Sequence, residues 1–342
     1  MRICLVADYS TPDEARKVIA HNLYRELSKN HEVLKAEIRS ISSVVFWKRV
    51  RKFEPQVIHY IPGASPLSFA ITKTMKILST KPKTVMFSML NPFHKPFHGF
   101  YYFLSYLTKW TIPFTKTDLV IAQSEDTEKV LKKLGCNVKF MVCSGVDVKR
   151  FVPVSGKRKE ELREKYGIAH EKFVILHVGS IRKWRNVEIL KGLQSHPDLQ
   201  VLVVGRTSTK FEKTAALELE KMGCKIINKH VPKIEEIYAL SDCYVFPTTD
   251  PVGSIDVPLS VLEAMATNLP VVSTRFGGLP TIFKEEGGLF FVEDKENIYK
   301  TIKDIKNGKL EIKTREKVLL YSWDNIAKKL VDVYRELISE EL

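Results

Sequence analysis

Short apolar runs rich in β-branched residues alternate with helix-period segments along the chain, and this alternation restricts the fold more than any other feature. The runs lie at 2–8, 32–38, 55–61, 83–89, 118–124, 173–179, 199–205, 224–229, 243–248 and 270–274. Strands that alternate with helices pair in parallel, because each crossover helix returns the chain to the same end of the sheet. The pattern therefore predicts an α/β protein of the doubly wound kind.

The alternation is interrupted at 152–167, where Pro and Gly precede a charged helical run. A chain of 342 residues also exceeds one ordinary hydrophobic core. We therefore predict two Rossmann-like domains, residues 1–155 and 156–342, facing across a cleft that binds ligand at the carboxyl ends of the strands. The last helix, from about Ser322 to Glu340, is apolar along one face and is expected to return to the first domain.

Several classes of protein are disfavoured by the absence of their motifs. The loop after the first run reads DYSTPDEARK, without the G-x-G-x-x-G of dinucleotide enzymes, and the P-loop pattern is absent too. Five scattered cysteines without a C-x-x-C pair argue against a zinc site or a disulfide framework. No run reaches the ~18 apolar residues of a membrane span, and the chain opens on a strand rather than a signal peptide. We expect a cytoplasmic protein with no bound metal.

The positive charge is concentrated in the first half of the chain. The formal net charge is +14; residues 1–150 hold 24 Lys and Arg against 12 Asp and Glu, whereas residues 151–342 hold 30 against 28. So uneven a distribution indicates an anionic partner, which is a nucleic acid, a membrane surface or a phosphorylated substrate.

Two segments carry residues suited to a nucleotide. In VGSIRKWRN (178–186) a strand ends at Gly179, and Arg182, Lys183 and Arg185 then lead into a helix. Cations at a helix N-terminus suit a diphosphate, although a solvated basic loop has the same sequence. In 248–278, Glu263 is expected to open a helix beside the N–H groups of Gly253 to Val257, where it can accept from ribose hydroxyls. The alternative is a glutamate stabilised by the helix dipole alone.

The order of these segments resembles the retaining GT-B glycosyltransferases of family 4. FPTTDPVGSIDVPLSVLEAMATNLPVV is similar to the family block P-S-x-x-E-G-F-G-L-P-x-x-x-E-A-M-A-x-G-x-P-V-V. CSGVDVKRFVP (143–153) resembles the family crossover N-G-V-D-x-x-x-F-x-P, and SWDNIAKKLVDVYREL (322–337) its closing helix. The resemblance covers about 120 to 342 in sequence and the first 120 residues in architecture.

The resemblance implies a sugar transferase that uses a nucleotide-sugar donor, a UDP or GDP sugar, and no further cofactor. Glu263 matches the glutamate that holds the donor ribose, and Arg185 stands at the lysine that contacts the diphosphate. Ser180 replaces an upstream arginine, so that Arg182 or Lys183 is expected to supply its charge. The implied donor contacts are Gly179, Ser180, Lys183, Val231, Ser254, Ile255, Val257, Leu259 and Glu263.

The first glutamate of the family's Glu–seven residues–Glu motif is missing. Ile255 occupies its position, and Asp256 beside it is the candidate replacement. His94, which follows the fourth run, is the candidate that faces the donor sugar; a structural histidine is the alternative. The expected reaction is metal-free transfer of a hexose with retention, in which Arg185 and Arg182 stabilise the leaving diphosphate.

Basic and aromatic residues occur together in the first half. VVFWKRVRKF (44–53) combines Phe46, Trp47 and Phe53 with four cations, and ten aromatic residues lie between Phe87 and Phe114. This mixture favours an anionic membrane surface and hence a glycan or lipid-linked acceptor, with the enzyme peripheral at the inner face of the cell membrane. Nucleic acid is the rival partner, but no RRM, KH or zinc-finger pattern is present. A GT-B epimerase or phosphorylase, or a catalytically silent subunit that binds a partner enzyme or glycan, remains an alternative function.

Overall fold

The computed structural model describes residues 1–11, 14–90, 112, 115–205, 210–251, 253–308 and 310–339. These residues form two compact units, and each unit is built on its own sheet. Unit 1 comprises the described residues of Met1–Gly145, Ile255–Val257 and Trp323–Leu342, and unit 2 comprises those of Val146–Ser254 and Pro258–Ser322. Both sheets are parallel, so the doubly wound α/β class predicted from the alternation is confirmed.

The described sheet of unit 1 has the spatial order β2-β1-β3-β4-β5-β6. Its strands are β1 (Arg2–Ala7), β2 (Glu32–Glu37), β3 (Val57–Tyr60), β4 (Lys83–Ser88), β5 (Leu119–Ala122) and β6 (Val138–Phe140). Strands β3, β4 and β5 are buried throughout, because helices cover both faces of a parallel sheet. This explains why the strands read as continuous apolar runs.

Helices pack on both faces of this sheet. They are α1 (Ala15–Leu27), α2 (Val44–Phe53), α3 (Pro66–Leu78), α4 (Glu125–Lys133) and the last described helix, α13 (Trp323–Ser339). Hydroxyl groups begin three of them, since Ser43, Ser65 and Ser124 each accept from a backbone N–H of the first turn. Helices α2 and α3 share one core cluster, which contains Phe46, Val50, Phe69 and Met75.

The described sheet of unit 2 has the spatial order β12-β11-β10-β7-β8-β9. Its strands are β7 (Phe173–Val178), β8 (Leu199–Val204), β9 (Lys225–Ile227), β10 (Cys243–Phe246), β11 (Val271–Ser273) and β12 (Leu289–Phe291). Its helices are α5 (Gly156–Tyr166), α6 (Ile189–Gln194), α7 (Lys210–Lys221), α8 (Ile234–Leu240), α9 (Leu259–Ala266), α10 (Leu279–Ile282), α11 (Lys295–Lys306) and α12 (Thr314–Val318). No helix in the described ranges is long and apolar enough to cross a membrane.

Two local expectations differ from the structure. Glu263 does not open its helix, because α9 begins four residues earlier at Leu259, directly after Pro258. The basic loop does not run straight into a helix either. Lys183–Arg185 forms a single 3₁₀ turn, and α6 begins only at Ile189. Helix α9 thus begins earlier than the apolar periodicity suggests, and a separate 3₁₀ turn precedes α6. A single turn of helix carries no periodic pattern, so the sequence does not indicate either one.

Candidate functional site

The strand order of unit 2 reverses between β7 and β10, which are neighbours in the sheet. The chain proceeds from β7 through β8 to β9 on one side, and from β10 through β11 to β12 on the other. Loops that follow two such strands diverge, and the crevice they leave at the carboxyl ends is the usual ligand position of a doubly wound sheet. The basic loop follows β7 and the 247–258 loop follows β10, so both predicted donor segments flank this point.

Gly179 and Arg185 lie against each other at the end of β7. A Cβ atom at Gly179 would come within 2.1 Å of Nη1 of Arg185, so any side chain there displaces the guanidinium. The next strand is equally close, since a Cβ atom at Gly205 would lie 1.9 Å from the carbonyl oxygen of Gly179. Glycine at both positions therefore allows the backbone to pass directly beside the arginine head group.

Arg185 is a half-buried cation with an unsatisfied donor. Its Nε is buried, and no hydrogen-bond acceptor among the described residues is within reach of it. Burial lowers the pKa of this guanidinium and the nearby Arg182 adds to the effect, whereas Tyr244 acts in the opposite direction. Because a desolvated donor without a partner is costly, the position favours an anionic ligand.

The other cations of the loop are arranged differently. Arg182 is half-exposed, and its Nε donates to Oε1 of Glu212 at 3.0 Å. A carboxylate partner cancels part of its charge, so Arg185 is the stronger candidate for a diphosphate contact. Ser180 is half-buried and Trp184 is exposed, whereas the side chain of Lys183 is outside the part of the chain that is described.

Glu263 faces the interior of unit 2 from the second turn of α9. Its Oε2 accepts from the hydroxyl of Tyr238 at 2.7 Å. Burial raises the pKa of this carboxyl to about 7, against the opposing influence of Tyr238 and Arg150. The carboxyl can therefore exchange its proton near neutral pH, and hydroxyl donors of a ligand would stabilise its ionised form.

Ile255, Asp256 and Val257 belong to unit 1, although the rest of their loop belongs to unit 2. Oδ2 of Asp256 accepts from the hydroxyls of Ser124 and Thr127, both at 2.8 Å, at the start of α4. Its backbone N–H donates to the carbonyl oxygen of Met89 at 2.7 Å. The carbonyl oxygen of Val257 accepts from the hydroxyl of Ser144 at 2.7 Å. These bonds hold the segment in unit 1, and Ile255 is buried within it.

The remaining predicted residues provide less geometry. Val231 lies half-buried in the turn before α8, Ser254 is half-buried, and Leu259 is the buried first residue of α9. His94 lies outside the described residues. No group of three or more His, Cys, Asp or Glu within the described ranges is placed to hold a metal ion.

Three residues at the site were not expected from the sequence. Tyr238 donates to Glu263, and its ring lies 5.9 Å from that of Tyr244. Tyr244 donates its hydroxyl to the carbonyl oxygen of Val178 at 3.4 Å, which ties β10 to the end of β7. His177 is fully buried in β7, one residue before Val178. Each is a polar group on an apolar strand or helix, and that is the only local signal that could have indicated it.

Comparison with known proteins finds similarity chiefly in the second half of the chain. Residues 158–319, a little under half of the chain, match the family model described as Glycosyl transferases group 1. A D-inositol 3-phosphate glycosyltransferase of Corynebacterium urealyticum is 26% identical over 224 residues, which are 58% of this chain and 51% of that protein. The chain spans about half the length of the curated relatives it matches.

Solved structures match almost the whole chain. Sucrose-phosphate synthase from Thermosynechococcus elongatus is similar with a TM-score of 0.78 at 15% identity, covering 99% of each chain. HepE of Anabaena, solved in complex with UDP and glucose, has a TM-score of 0.74 at 16% identity and covers 98% of this chain and all of its own. The chain therefore has the GT-B fold, and its residues 158–319 are similar to the group 1 glycosyl transferases.

Proposed function

We propose that this protein transfers a hexose from a nucleotide-sugar donor, a UDP or GDP sugar, to an acceptor hydroxyl, with retention and without a metal ion. The observation that carries the proposal is the half-buried guanidinium of Arg185, whose buried Nε has no acceptor among the described residues, against Gly179 at the reversal point of the sheet. The similarity to the group 1 glycosyl transferases and to HepE, whose structure contains UDP and glucose, supports the donor class.

In the proposed reaction Arg185 stabilises the leaving group. The bond between the anomeric carbon and the phosphate oxygen breaks, and its electron pair remains on the nucleoside diphosphate. A partly desolvated guanidinium interacts strongly with this charge, because protein screens charges less than water does. The acceptor oxygen bonds to the anomeric carbon on the same face, and its proton passes to the departing phosphate oxygen. Attack on that face gives retention.

Glu263 is proposed to bind the donor ribose. An ionised carboxylate has two oxygens, so it can keep the Tyr238 bond and still accept from ribose hydroxyls. Asp256 is retained as the proposed substitute for the missing first glutamate, and Arg182 as an outer contact of the diphosphate. Each of these roles is separate from that of Arg185.

The acceptor is proposed to lie at an anionic membrane surface, with the protein in the cytoplasm. Helices α2 and α3 present exposed apolar side chains, namely Val44, Val45, Leu67, Ile77 and Leu78. The same helix α2 exposes Lys48, Arg49, Arg51 and Lys52, none of which forms an ion pair with another described residue. Phe46 and Val50 face the core instead. Cations beside exposed apolar groups suit acidic lipid head groups, and a lipid-linked acceptor would be reached there.

Turnover of nucleotide sugars tests the proposal. The purified protein is incubated with UDP-glucose, GDP-mannose and related donors plus a membrane lipid extract, and release of free UDP or GDP is measured. We expect release with one donor, unchanged by EDTA, and a product whose anomeric configuration by NMR equals that of the donor. Arg185→Ala is expected to lower turnover by more than about 100-fold. Normal turnover by this variant would overturn the role of Arg185.

A catalytically silent binding subunit is the second candidate function. The observation that favours it is Ile255, a buried apolar residue at the position of the family's first glutamate. In that case UDP or GDP binds and raises the melting temperature of the protein, but the protein releases no nucleotide from any sugar donor. An epimerase would instead convert the donor sugar without needing an acceptor.

A further inference from the structure

His177 lies next to the proposed diphosphate contact and has a defined tautomer. Its Nδ1 is 3.0 Å from the carbonyl oxygen of Val245 on the neighbouring strand. A carbonyl oxygen only accepts, so Nδ1 carries the proton. Burial lowers the pKa of this imidazole to about 4, and the charge of Arg185 contributes. At neutral pH the ring is therefore uncharged, and Nε2 is a bare acceptor.

Nε2 of His177 and the guanidinium of Arg185 both lie beside Gly179. Nε2 of His177 is buried, and no partner for it occurs among the described residues, as is true of Nε of Arg185. A Cβ atom built on Gly179 would lie 3.5 Å from Nε2 of His177 and 3.0 Å from Cζ of Arg185. An acceptor without a donor thus lies close to a guanidinium that has one unpartnered N–H, and only glycine at position 179 leaves room for both.

We propose that His177 is a positioning residue for the donor diphosphate: when the nucleotide binds, Nε2 of His177 accepts from the edge of the Arg185 guanidinium that faces Gly179, and the other edge binds phosphate. The proposal rests on the function proposed above. A guanidinium is a rigid planar fork, so an anchor at one edge fixes the direction of the other. A neutral acceptor is suited to this task, because a carboxylate would cancel the positive charge that the diphosphate needs.

Two isosteric variants separate this role from a structural one. In His177→Asn the amide nitrogen replaces Nδ1 and keeps the bond to Val245, but nothing replaces Nε2. In His177→Gln the amide oxygen reaches the position of Nε2, but the donor to Val245 is lost. Binding of UDP and GDP is measured by calorimetry, and the melting temperature without ligand is measured for each variant.

We expect His177→Asn to melt near the wild-type temperature and to bind the nucleotide about tenfold more weakly, as for one lost charge-assisted hydrogen bond. His177→Gln is expected to melt at a lower temperature and to bind within about threefold of the wild type. The reverse order, with Asn binding normally and Gln weakened in proportion to its lost stability, would show that His177 only supports the sheet.

A double variant identifies the residue through which His177 acts. If it acts through Arg185, His177→Asn combined with Arg185→Ala binds no more weakly than Arg185→Ala alone, since the effects of coupled residues do not add. Additive losses would overturn the proposal while leaving the donor site intact. If the wild type binds neither UDP nor GDP and releases neither from sugar donors, the proposed function is wrong, and the role of His177 is overturned with it.

Discussion

Glu263 and Asp256 are two carboxyls whose pKa burial raises, but their partners differ in kind. Glu263 accepts from one tyrosine and is proposed to meet ribose hydroxyls. Asp256 accepts from two hydroxyls of its own unit. Both raised pKa values make the free energy of unfolding fall as pH rises, and Glu263 alone of the two is also expected to make ligand binding depend on pH.

Affinity for a nucleotide sugar is expected to depend on the ionisation of Glu263. Its pKa is raised to about 7, and the ionised form accepts from ribose hydroxyls, so affinity should fall about tenfold between pH 8 and pH 6. Glu263→Gln should bind more weakly at pH 8 and lose this dependence. UDP-glucose is the probe for calorimetry, because its diphosphate does not titrate in this range. A slope that persists in Glu263→Gln would assign the titration to another group.

The stability of Asp256→Asn is expected to exceed that of the wild type at neutral pH. Burial raises the pKa of Asp256 to about 6, above its ordinary 3.8, despite the bonds from Ser124 and Thr127. The folded state therefore binds more protons than the unfolded state between about pH 4 and pH 6, and the free energy of unfolding falls as pH rises through that window. Asparagine still accepts from both hydroxyls, so its advantage should be greatest above pH 6 and vanish near pH 4.

Asp118 provides a control of opposite sign. Burial alone would raise its pKa, but hydrogen bonds from Lys76 and Thr84 lower it below the ordinary value. Asp118→Asn should therefore lose stability above pH 4 and recover it in acid. Urea unfolding at several pH values measures both variants. The same pH trend in the two would contradict the assigned shifts.

Residues in contiguous motifs could be predicted from the sequence, and their long-range partners could not. Arg185 and Glu263 lie in recognisable sequence blocks. The structure places Arg185 at the reversal point of the sheet and Glu263 on the helix that follows β10. Asp256 and Ser124 are 132 residues apart, and His177 and Val245 are 68 residues apart. Such pairs depend on which strands become neighbours, and the spacing of residues along the chain does not contain that information.

At the scale of elements, the close approach of Gly179 and Arg185 at the end of β7 leaves no room for a side chain at position 179. The runs at 224–229 and 270–274 indicated β9 and β11, which have three residues each, whereas β6 and β12, equally short, were missed. The starts of α6 and α9 were misplaced as well, because a single helical turn carries no periodic pattern. The turns that hold the site are thus the parts that periodicity predicts least well.

Gly179→Ala is expected to impair nucleotide binding without unfolding unit 2. The new methyl group would lie 2.1 Å from Nη1 of Arg185, so the guanidinium has to leave its position. We expect a loss of at least about tenfold in affinity for UDP or GDP, comparable to losing a charged hydrogen bond.

Gly192→Ala is the matched control within the same unit. Gly192 lies inside α6, and a Cβ atom there would meet nothing within 4 Å. It should bind like the wild type and unfold with a free energy higher by about 0.5–1 kcal/mol, since alanine is favoured in helices. Calorimetry and urea unfolding compare the two. Equal binding by Gly179→Ala and Gly192→Ala would show that the position of Arg185 does not matter for the ligand.

At the scale of the whole molecule, we propose that the excess charge is divided between two tasks. The basic loop belongs to a half that is nearly neutral, whereas residues 1–150 hold twice as many basic as acidic residues. This asymmetry is a property of the sequence itself. The structure confirms that the four cations at 44–53 are exposed, as a surface role requires. The aromatic segment 91–111 lies outside the described residues, so its part in the surface stays a prediction.

Binding to anionic vesicles is expected to depend on α2. Replacing Lys48, Arg49, Arg51 and Lys52 by glutamine should reduce sedimentation with phosphatidylglycerol vesicles at low salt by at least tenfold, because each cation contributes about 1 kcal/mol near such a surface. The control replaces four exposed lysines of unit 2, namely Lys213, Lys221, Lys300 and Lys303. Equal losses in the two variants would indicate a non-specific effect of net charge. No sedimentation of the wild type would refute the membrane proposal.

The assignment of α13 to unit 1 has a consequence for the order in which the chain matures. Trp323 packs its ring against Gly145, and Tyr334 bonds to the buried His59 of β3. A ribosome therefore releases the first strands long before the helix that covers them exists, while every residue of unit 2 is synthesised before Trp323. The half of the protein that is translated first is therefore the last that can complete its fold.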